Sequence, residues 1–177
     1  MKPTIYTDDL NNSSHWYALY TRSRYEKKVD YLLKENGITC YLPLNEVYHR
    51  WSDRHKKVFL PLFSCYIFVC IALRDRFKVL QTDGAIKLVS FNGKPAPIAD
   101  HQIDAIKRIM DEKMNVDKID FFNVGKKVKV KQGPLKGMEG SLIQKSNRSR
   151  LVIAIDGIKQ SLTIDIDYRD LEIIKEG

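Results

Sequence analysis

The sequence predicts an α+β amino-terminal domain, an antiparallel sheet flanked by helices, followed by a small all-β barrel. Three observations support this fold class. Up to about residue 111, segments of strand-like composition alternate with segments whose apolar residues recur at helical spacing. Residues 112–122 lose regular patterning, as expected of a linker. From residue 123 onward, short apolar or alternating runs are separated by turn residues, which is the pattern of a small barrel.

The elements of the first domain, residues 15–111, follow from local composition. Strands are predicted where β-branched and aromatic residues cluster, at 15–21, 38–42, 58–62, 66–71 and 86–89. Helices are predicted where apolar residues repeat every three or four positions, at 24–36, 75–81 and 100–111. Gly37 stands where a left-handed residue commonly ends a helix, and Asp100 suits an N-cap. The polar residues 1–14 are expected to form a disordered tail.

The second domain, residues 123–177, is predicted to be built from strands alone. Its five runs lie at 127–130, 140–144, 151–155, 161–166 and 171–174. Gly133-Pro134 reverses the chain, and Gly137 and Gly140 permit positive φ or close backbone approach. β-Branched residues that alternate along the runs favour strands over helices, namely Val128, Val130, Ile153, Ile155 and Ile164.

Composition limits the classes of function. Lys and Arg outnumber Asp and Glu by 30 to 22, which gives a net charge of +8 and suits an anionic partner such as nucleic acid. No apolar run approaches the roughly 20 residues of a transmembrane helix, and residues 1–14 lack the apolar stretch of a signal peptide. We therefore expect a cytoplasmic protein without a membrane partner.

Catalytic and metal chemistry find little support. Three cysteines without CxxC spacing argue against a disulfide framework or a zinc site, and the four histidines are scattered. A nucleophile set of Cys40, His49 and Asp53 is conceivable, but no local signature supports it. Asp165 and Asp167 point to the same face and could bind a cation, although such carboxylates are more often solvated. The expectation is a protein without enzymatic activity, cofactor or metal.

The strongest local signal is the segment VGKKVKVKQGPLKGMEGS, residues 124–141. Its paired glycines and alternating valines resemble a KOW motif, an element of the carboxy-terminal domains of NusG proteins and of several ribosomal proteins. The resemblance implies that the barrel of residues 123–177 is an SH3-like KOW domain.

Upstream segments resemble the amino-terminal domain of the NusG family in the right order. WYAL at 16–19 and EKK at 26–28 match the first strand and the first helix of that domain. KVFLPLFSCYIFV at 57–69 matches its central hairpin. TDG at 82–84 and GKPAPI at 93–98 match its last strand and the turn into its third helix. With the KOW motif, the resemblance runs from about residue 15 to 175 and implies a transcription elongation or antitermination factor. The segments YTRSRYEKK and WSDR are similar to specialised paralogues of the UpxY and RfaH kind, and the likeness to UpxY is the closer. Ser64-Cys65 occupies positions where the family usually has Pro followed by a small residue, so we expect a looser turn.

The resemblance implies a docking role for the first domain. In the family, an apolar depression on this domain binds the clamp helices of the RNA polymerase β′ subunit. The matching positions are Tyr20, Phe63, Tyr66 and Phe68. Strand alternation puts Tyr66 and Phe68 on one face and the intervening residues on the other, so one face should be core and the other an exposed aromatic patch. The family's contact to the gate loop of the β subunit would fall near residues 75–78.

Basic side chains near these strands would meet upstream DNA or the displaced non-template strand, as the resemblance implies. They are Arg22, Arg24, Arg50, Arg54, Lys56 and Lys57. Phosphate contacts explain the charges, and Trp51 or Tyr25 could stack on an unpaired base.

The resemblance implies that the KOW domain recruits a partner, which in the family is a small-subunit ribosomal protein, the termination factor Rho, or neither. The positions that match the usual contact area are Leu135, Ile155, Asp156 and Ile158. A monomer is expected.

Two other classes stay open. A ribosome-associated RNA-binding protein could also contain a KOW domain, but it would lack the aromatic hairpin of residues 63–68 and the Trp16-Tyr17 strand. A Cys-dependent hydrolase would lose activity on Cys40→Ala while docking stayed intact.

The alternating β-branched residues lead to a direct prediction, because the corresponding segment of RfaH can instead fold as a helical hairpin. Circular dichroism or amide NMR of residues 115–177 should show mainly strand. A mainly helical spectrum would contradict the barrel.

Overall fold

The computed structural model describes residues 7–50, 55–114, 116–120, 126–145 and 148–174. The chain divides into two compact units, Met1–Asp100 and His101–Gly177. The sequence places its domain boundary later, at a linker over 112–122, so the helix predicted at 100–111 falls, apart from its first residue, within the second unit rather than the first.

The first unit contains three helices and nine strands within the described residues. The helices are α1 (Thr7–Asn12), α2 (Glu26–Glu35) and α3 (Arg76–Leu80), the last preceded by a 3-10 turn at Leu73–Asp75. The strands are β1 (His15–Thr21), β2 (Thr39–Tyr41), β3 (Leu44–Arg50), β4 (His55–Pro61), β5 (Tyr66–Ile71), β6 (Ala85–Leu88), β7 (Ser90–Phe91), β8 (Lys94–Pro95) and β9 (Pro97–Ile98). The predicted strands and helices are all present, with ends shifted by a few residues.

The main sheet of the first unit is antiparallel and has the order β2-β5-β1-β6, with β9 also pairing with β1. Helix α2 lies against one face of this sheet. Its buried residues Val29 and Leu33 join a cluster that includes Tyr17, Leu19 and Ile67 from the strands. Burying such side chains contributes about 1.5–3 kcal/mol each relative to exposure, so this cluster is a principal source of the unit's stability.

The predicted end of α2 is confirmed. Gly37 has a φ of +70° and donates a backbone hydrogen bond to the Lys34 carbonyl, 2.9 Å away. The amide of Ile38 donates to the Leu33 carbonyl at the same distance. These bonds satisfy carbonyls that the end of a helix would otherwise leave without partners.

Two features of the first unit differ from the sequence-based expectation. Helix α1 occupies part of the segment expected to be a disordered tail, and Arg74 donates a 3.5 Å hydrogen bond to Asn12 at its end. Strand β3 was not predicted; it forms a separate two-stranded hairpin with β4, in which Val47 lies opposite Val58. The sequence of β3 is mixed and largely polar, so it lacks the pattern by which strands are predicted. A strand outside the main sheet does not need a continuous apolar face.

The second unit has one helix and six strands among its described residues. Helix α4 (Asp100–Asp111) has the predicted bounds, and its stripe of Ile103, Ile106 and Ile109 is buried. The strands are β10 (Val116–Asp120), β11 (Lys126–Val130), β12 (Glu139–Lys145), β13 (Arg148–Ile155), β14 (Gln160–Ile166) and β15 (Leu171–Ile173). They form an antiparallel sheet in the order β10-β14-β13-β12-β11-β15. All five predicted strands are confirmed.

Strand β10 lies within the segment predicted to be a linker, residues 112–122. It pairs with β14 over five positions, from Val116 opposite Ile164 to Asp120 opposite Gln160. A strand at the end of a sheet is held mainly by its backbone hydrogen bonds, so its sequence can lack the pattern that identifies inner strands.

The glycines between β11 and β12 act as the sequence predicts. Gly133 and Gly137 have φ values of +83° and +85°, and Gly137 donates a 2.8 Å hydrogen bond to the Val130 carbonyl. At Gly140, an added Cβ would collide with the Val152 carbonyl oxygen of the neighbouring strand. Only glycine therefore allows β12 and β13 to approach this closely.

No helix in the described parts of the chain is both long enough and apolar enough to cross a membrane.

The turn before β5 is held by a buried carboxylate. Glu26 is only 5% exposed, and its Oε1 accepts a 2.6 Å hydrogen bond from the backbone amide of Cys65. We expect Glu26→Ala to lower the free energy of unfolding by about 2 kcal/mol, because it leaves a part-buried amide without its charged partner. Urea unfolding followed by circular dichroism measures the change. Glu26→Gln, which keeps an acceptor oxygen, should cost less, and Glu35→Ala at the exposed end of the same helix should cost little; equal losses for all three would contradict this role.

Gly84 supports the packing of α2 against the loop before β6. Its φ is +95°, and an added Cβ would lie 2.8 Å from Tyr25 Cδ1 and 2.9 Å from Cγ2 of the buried Val29. Gly93 provides a matched control, since its φ is +77° but nothing lies within 4 Å of an added Cβ. We expect Gly93→Ala to cost about 1 kcal/mol of stability from backbone strain alone, and Gly84→Ala about 3 kcal/mol because overpacking adds to it. Similar losses in thermal unfolding would show that the contact with α2 is unimportant.

Candidate functional site

Strands β1 and β5, at the centre of the main sheet of the first unit, form a face lined with aromatic residues. In the β1–β5 register, Tyr20 lies opposite Tyr66 and Ala18 lies opposite Phe68. Strand β2 extends this face, because Tyr41 lies opposite Phe68 on its other side. The intervening residues, Ile67 and others, point to the face that α2 covers. The predicted division of the hairpin residues between two faces is therefore confirmed.

Tyr20 and Tyr66 form an accessible, contacting pair on the aromatic face. Their ring centroids are 5.3 Å apart with the planes tilted by 59°, and both side chains are half-buried. Burial, and then the neighbouring Tyr20, raise the pKa of Tyr66. Its phenol therefore stays neutral at physiological pH and keeps a hydroxyl that can donate a hydrogen bond at the edge of an apolar surface.

Phe63 and Phe68 lie deeper than the sequence suggests. Their rings meet edge-to-face with centroids 5.8 Å apart and an interplanar angle of 86°, and both side chains have no exposed surface. Phe68, which strand alternation places with Tyr66 on the face expected to be exposed, is covered in the structure. Strand alternation identifies the face to which a side chain points, but it does not show whether that face is covered.

The turn that leads to Tyr66 is more tightly fixed than expected. Cys65 adopts a φ of +65°, a left-handed conformation that is strained for a side chain other than glycine. Three hydrogen bonds hold the turn. The Cys65 amide donates to Glu26, and the Cys65 carbonyl accepts from the Thr21 amide at 2.9 Å. The Tyr66 amide donates to the Phe63 carbonyl at 3.3 Å. The expected loosening from the absence of Pro is offset by these bonds. Sequence reasoning missed Glu26, because an acidic residue in the first turn of a helix is already explained by the helix dipole.

A compact charged cluster lies where β1 leads into α2. Asp83 accepts a 2.8 Å hydrogen bond from Lys28 Nζ and a 3.4 Å hydrogen bond from Arg22 Nη1. Both cations also lie over the ring of Tyr25, 5.3 Å and 5.7 Å from its centroid for Lys28 and Arg22 respectively. The hydrogen bond from Lys28, with the positive charges nearby, lowers the pKa of Asp83. The predicted contact residue Arg24 is also exposed, with a φ of +66°.

The other predicted basic residues belong to the β3–β4 hairpin. Lys57 is more than half exposed and forms a 2.7 Å ion pair with Glu46 on the opposite strand. Lys56 lies opposite His49, and Arg50 lies opposite His55, near the free end of the hairpin. Arg54, like Trp51, lies outside the described residues. The hairpin register thus brings Arg50, Lys56 and Lys57 to one end of one element, separate in sequence from the Arg22 cluster.

The segment near the predicted gate-loop contact, residues 74–78, has one carboxylate, which pairs with two of its three basic side chains. Asp75 Oδ1 lies 2.8 Å from Lys78 Nζ, and its Oδ2 lies 3.8 Å from Arg74 Nε. The hydrogen bond from Lys78 lowers the pKa of Asp75. Phe77, in contrast, is 59% exposed beneath the Arg76 guanidinium, which lies 4.6 Å from the ring centroid.

The predicted partner residues of the second unit are mostly internal. Leu135, Ile155 and Ile158 are all at least nine-tenths buried, so they cannot serve as surface contacts in this conformation. Asp156 begins a 3-10 turn at Asp156–Ile158. Lys159, at the end of this loop, is exposed and has a φ of +49°. The apolar residues belong to the core of the sheet, a role that their β-branched and large side chains also fit.

The conceivable catalytic and cation sites have structural explanations. Burial, and then the nearby Asp30, raise the pKa of Cys40 to about 12, so its thiol is protonated and a poor nucleophile. Asp165 forms a 3.0 Å ion pair with Arg150, and Asp167 forms a 2.7 Å ion pair with Arg169. No group of three or more potential ligands that could hold a metal ion occurs among the described residues.

Comparisons with known proteins agree with this architecture. A family model described as "Transcription termination factor nusG" matches residues 14–107, more than half of the chain. The transcription termination/antitermination protein NusG of Halalkalibacterium halodurans is 25% identical over 177 aligned residues, covering 90% of this chain and 98% of the relative. That of Pseudomonas aeruginosa is 25% identical over 176 aligned residues, with the same coverage.

A solved structure also shares the fold. The structure that describes domain interaction in Thermotoga maritima NusG is 22% identical, covers 92% of this chain and 98% of the matched chain, and superposes with a TM-score of 0.55. Because the family model spans the aromatic face and the charged cluster, and the relatives align along nearly their whole length, this chain belongs to the NusG family.

Proposed function

We propose that this protein is a transcription elongation and antitermination factor that binds RNA polymerase through its first unit and suppresses pausing or termination. Its membership of the NusG family, whose aligned relatives are named transcription termination/antitermination proteins, supports this function. Members of the family are non-enzymatic transcription factors, and the protonated, half-buried Cys40 agrees with the absence of a catalytic thiol. The factor would work in the cytoplasm as a monomer, without a cofactor.

The observation that carries the proposal is the Tyr20–Tyr66 pair on the aromatic face of the sheet. Tyrosine is enriched among residues that dominate binding energy, because it combines apolar area with a hydroxyl that can form hydrogen bonds. Each ring is partly accessible and held on the central strands β1 and β5. A rigid aromatic pair of this kind can pack against the side of a helix, and the clamp helices of the polymerase β′ subunit would provide such a helix.

Phe63 and Phe68 would contribute to this contact as supports rather than as direct anchors. Phe68 lies two residues from Tyr66 on the same strand face, and Phe63 packs edge-to-face against it. Their burial fixes the position of Tyr66. Any direct contact between them and the polymerase would require their present cover to move.

A second contact, with upstream or non-template DNA, would use the basic residues of the same unit. Arg22 and Arg24 are exposed at the end of β1, and Lys57 is exposed on the β3–β4 hairpin. Arg50 and Lys56 belong to the strands of the same hairpin, and Arg54, which lies outside the described residues, is proposed from its sequence position alone. Contacts of this type neutralise phosphates and release counterions. The exposed Phe77 in the gate-loop segment would provide a further contact to the β subunit.

The second unit would recruit a partner as a KOW barrel, either a small-subunit ribosomal protein or Rho. Its antiparallel sheet and the glycine turn between β11 and β12 support the KOW assignment. Because Leu135, Ile155 and Ile158 are buried, the contact would use the exposed Lys159 and the backbone of the Asp156–Ile158 turn.

We further propose a specialised role of the UpxY or RfaH kind rather than a general one. The support for this is the Arg-rich segment at residues 20–28 and the WSDR segment. A ribosome-associated KOW protein is the alternative function. The match of the family model to residues 14–107 disfavours it, because this region lies outside the KOW motif.

The docking proposal is tested by retention of core RNA polymerase on immobilised protein. We expect the double variant Tyr20→Ala/Tyr66→Ala to bind at least about tenfold more weakly, as expected of residues that dominate an interface. Tyr31→Ala is a matched control, since Tyr31 is 61% exposed on α2; this variant should retain the polymerase like the wild type.

Phe68→Ala is unsuitable as a test of docking, because removing a buried Phe costs about 3–5 kcal/mol of stability. Equal retention by the wild type and the double variant would exclude this surface.

A further inference from the structure

Asp83 holds two cations of the first unit at once. Its Oδ2 accepts the hydrogen bond from Lys28 and its Oδ1 accepts the longer one from Arg22, so one carboxylate bridges the end of β1 and the first turn of α2. The carboxylate is presented by a turn in which the Ala85 amide donates a 3.0 Å hydrogen bond to the Thr82 carbonyl. The bridge therefore depends on the fixed position of this turn as well as on charge.

Tyr25 and Gly84 fix the geometry of this bridge. The ring of Tyr25 lies beneath both cations and against Gly84, where no side chain larger than hydrogen would fit. The Arg22 amide also donates a 2.8 Å hydrogen bond to the Gly84 carbonyl. The Arg22 guanidinium and the Lys28 ammonium are thus held at a set separation above the Tyr25 ring. The two carboxylate oxygens of Asp83 lie between them.

The bridge is open to solvent and easily exchanged. The side chains of Arg22, Lys28 and Asp83 are 61%, 55% and 53% exposed. Ion pairs with this degree of exposure are weakened by water and salt and add little to stability. Another anion with two suitably placed oxygens could therefore replace the carboxylate at low cost.

We propose that Asp83 occupies the position of a nucleic-acid backbone phosphate, and that Arg22 and Lys28 together bind this phosphate once Asp83 is displaced. This inference rests on the proposed function, which assigns Arg22 to nucleic acid, and it adds Lys28 as the second phosphate ligand and Asp83 as an internal competitor. Two non-bridging oxygens of a phosphodiester can accept hydrogen bonds from a guanidinium and an ammonium as the carboxylate oxygens do here. The exposed edge of Tyr25 lies beside the same position and can pack against the adjoining sugar or base.

With Asp83 in place, a phosphate can bind Arg22 and Lys28 only by displacing the Asp83 carboxylate. This cost does not depend on the nucleic-acid sequence, so non-specific binding is weakened although both cations are kept. Removing the carboxylate should have the opposite effect and strengthen binding.

The test uses the full chain and a fluorescein-labelled forked DNA, with affinity measured by fluorescence anisotropy over a range of salt concentrations. We expect Asp83→Asn to bind about three- to fivefold more tightly than the wild type, the scale set by loss of an exposed ion pair. Lys28→Gln should bind more weakly and reduce the salt dependence by about one phosphate contact. The double variant Asp83→Asn/Lys28→Gln should lose the gain of the single Asp83→Asn variant.

The control is Asp104→Asn, which changes the net charge by the same amount. Asp104 forms a 3.7 Å ion pair with Lys107 on α4 and is 59% exposed, so its variant should bind DNA like the wild type. If Asp83→Asn binds no more tightly than Asp104→Asn, the inference is overturned while the proposed DNA contact stands. If neither the wild type nor Asp83→Asn binds the forked DNA at low salt, the nucleic-acid part of the proposed function fails with it. Thermal unfolding of each variant confirms that the fold is intact.

Discussion

The antiparallel pairing of β1 with β5 is the constraint on which the first unit depends. Because the two strands are in fixed register, alternate residues are divided between two faces. One face, with Tyr17 and Ile67, joins the core beneath α2. The other presents the Tyr20–Tyr66 pair. A shift of one residue in either strand would exchange the two sets, bury the tyrosine hydroxyls in the core and expose the apolar cluster. The same backbone hydrogen bonds therefore determine both stability and the candidate docking surface.

Several carboxylates of the described residues form exposed ion pairs. Asp75 and Asp167 pair with basic groups nearby in sequence, whereas Asp83 pairs with the distant Lys28 of α2, and these groups lower the pKa of all three carboxyls. Such pairs contribute little to folding because water competes for every partner. Their effect is on the surface potential, since they neutralise locally a chain whose net charge is +8.

Much of the fold could be predicted from the sequence, because strongly periodic segments specify their own structure. The isoleucine stripe of α4 indicates that helix, and the glycines between β11 and β12 indicate a turn that the structure contains. The prediction failed where structure depends on backbone pairing instead of side-chain pattern. Strand β10 at the end of the second sheet and strand β3 in its hairpin are examples.

The candidate site was less predictable, for a different physical reason. Its residue types and their faces could be inferred, but exposure depends on what packs against a face, and a sequence does not contain that information locally. The burial of Phe63, Phe68 and Ile155 is an example. Contacts between distant residues, such as those of Asp83 with Lys28 and of Glu26 with Cys65, also have no signature in sequence spacing.

The first turn of α2 has a role that extends beyond its packing. Glu26 is bonded to the turn that positions Tyr66, and Lys28, two residues later, is bonded to Asp83. One helical turn thus connects the aromatic surface with the charged cluster through two hydrogen bonds. Where a ligand at one surface changes the order of this turn and thereby the affinity at the other surface, thermodynamic linkage requires the same factor in the reverse direction. The first turn of α2 is therefore the element through which the two surfaces would be coupled.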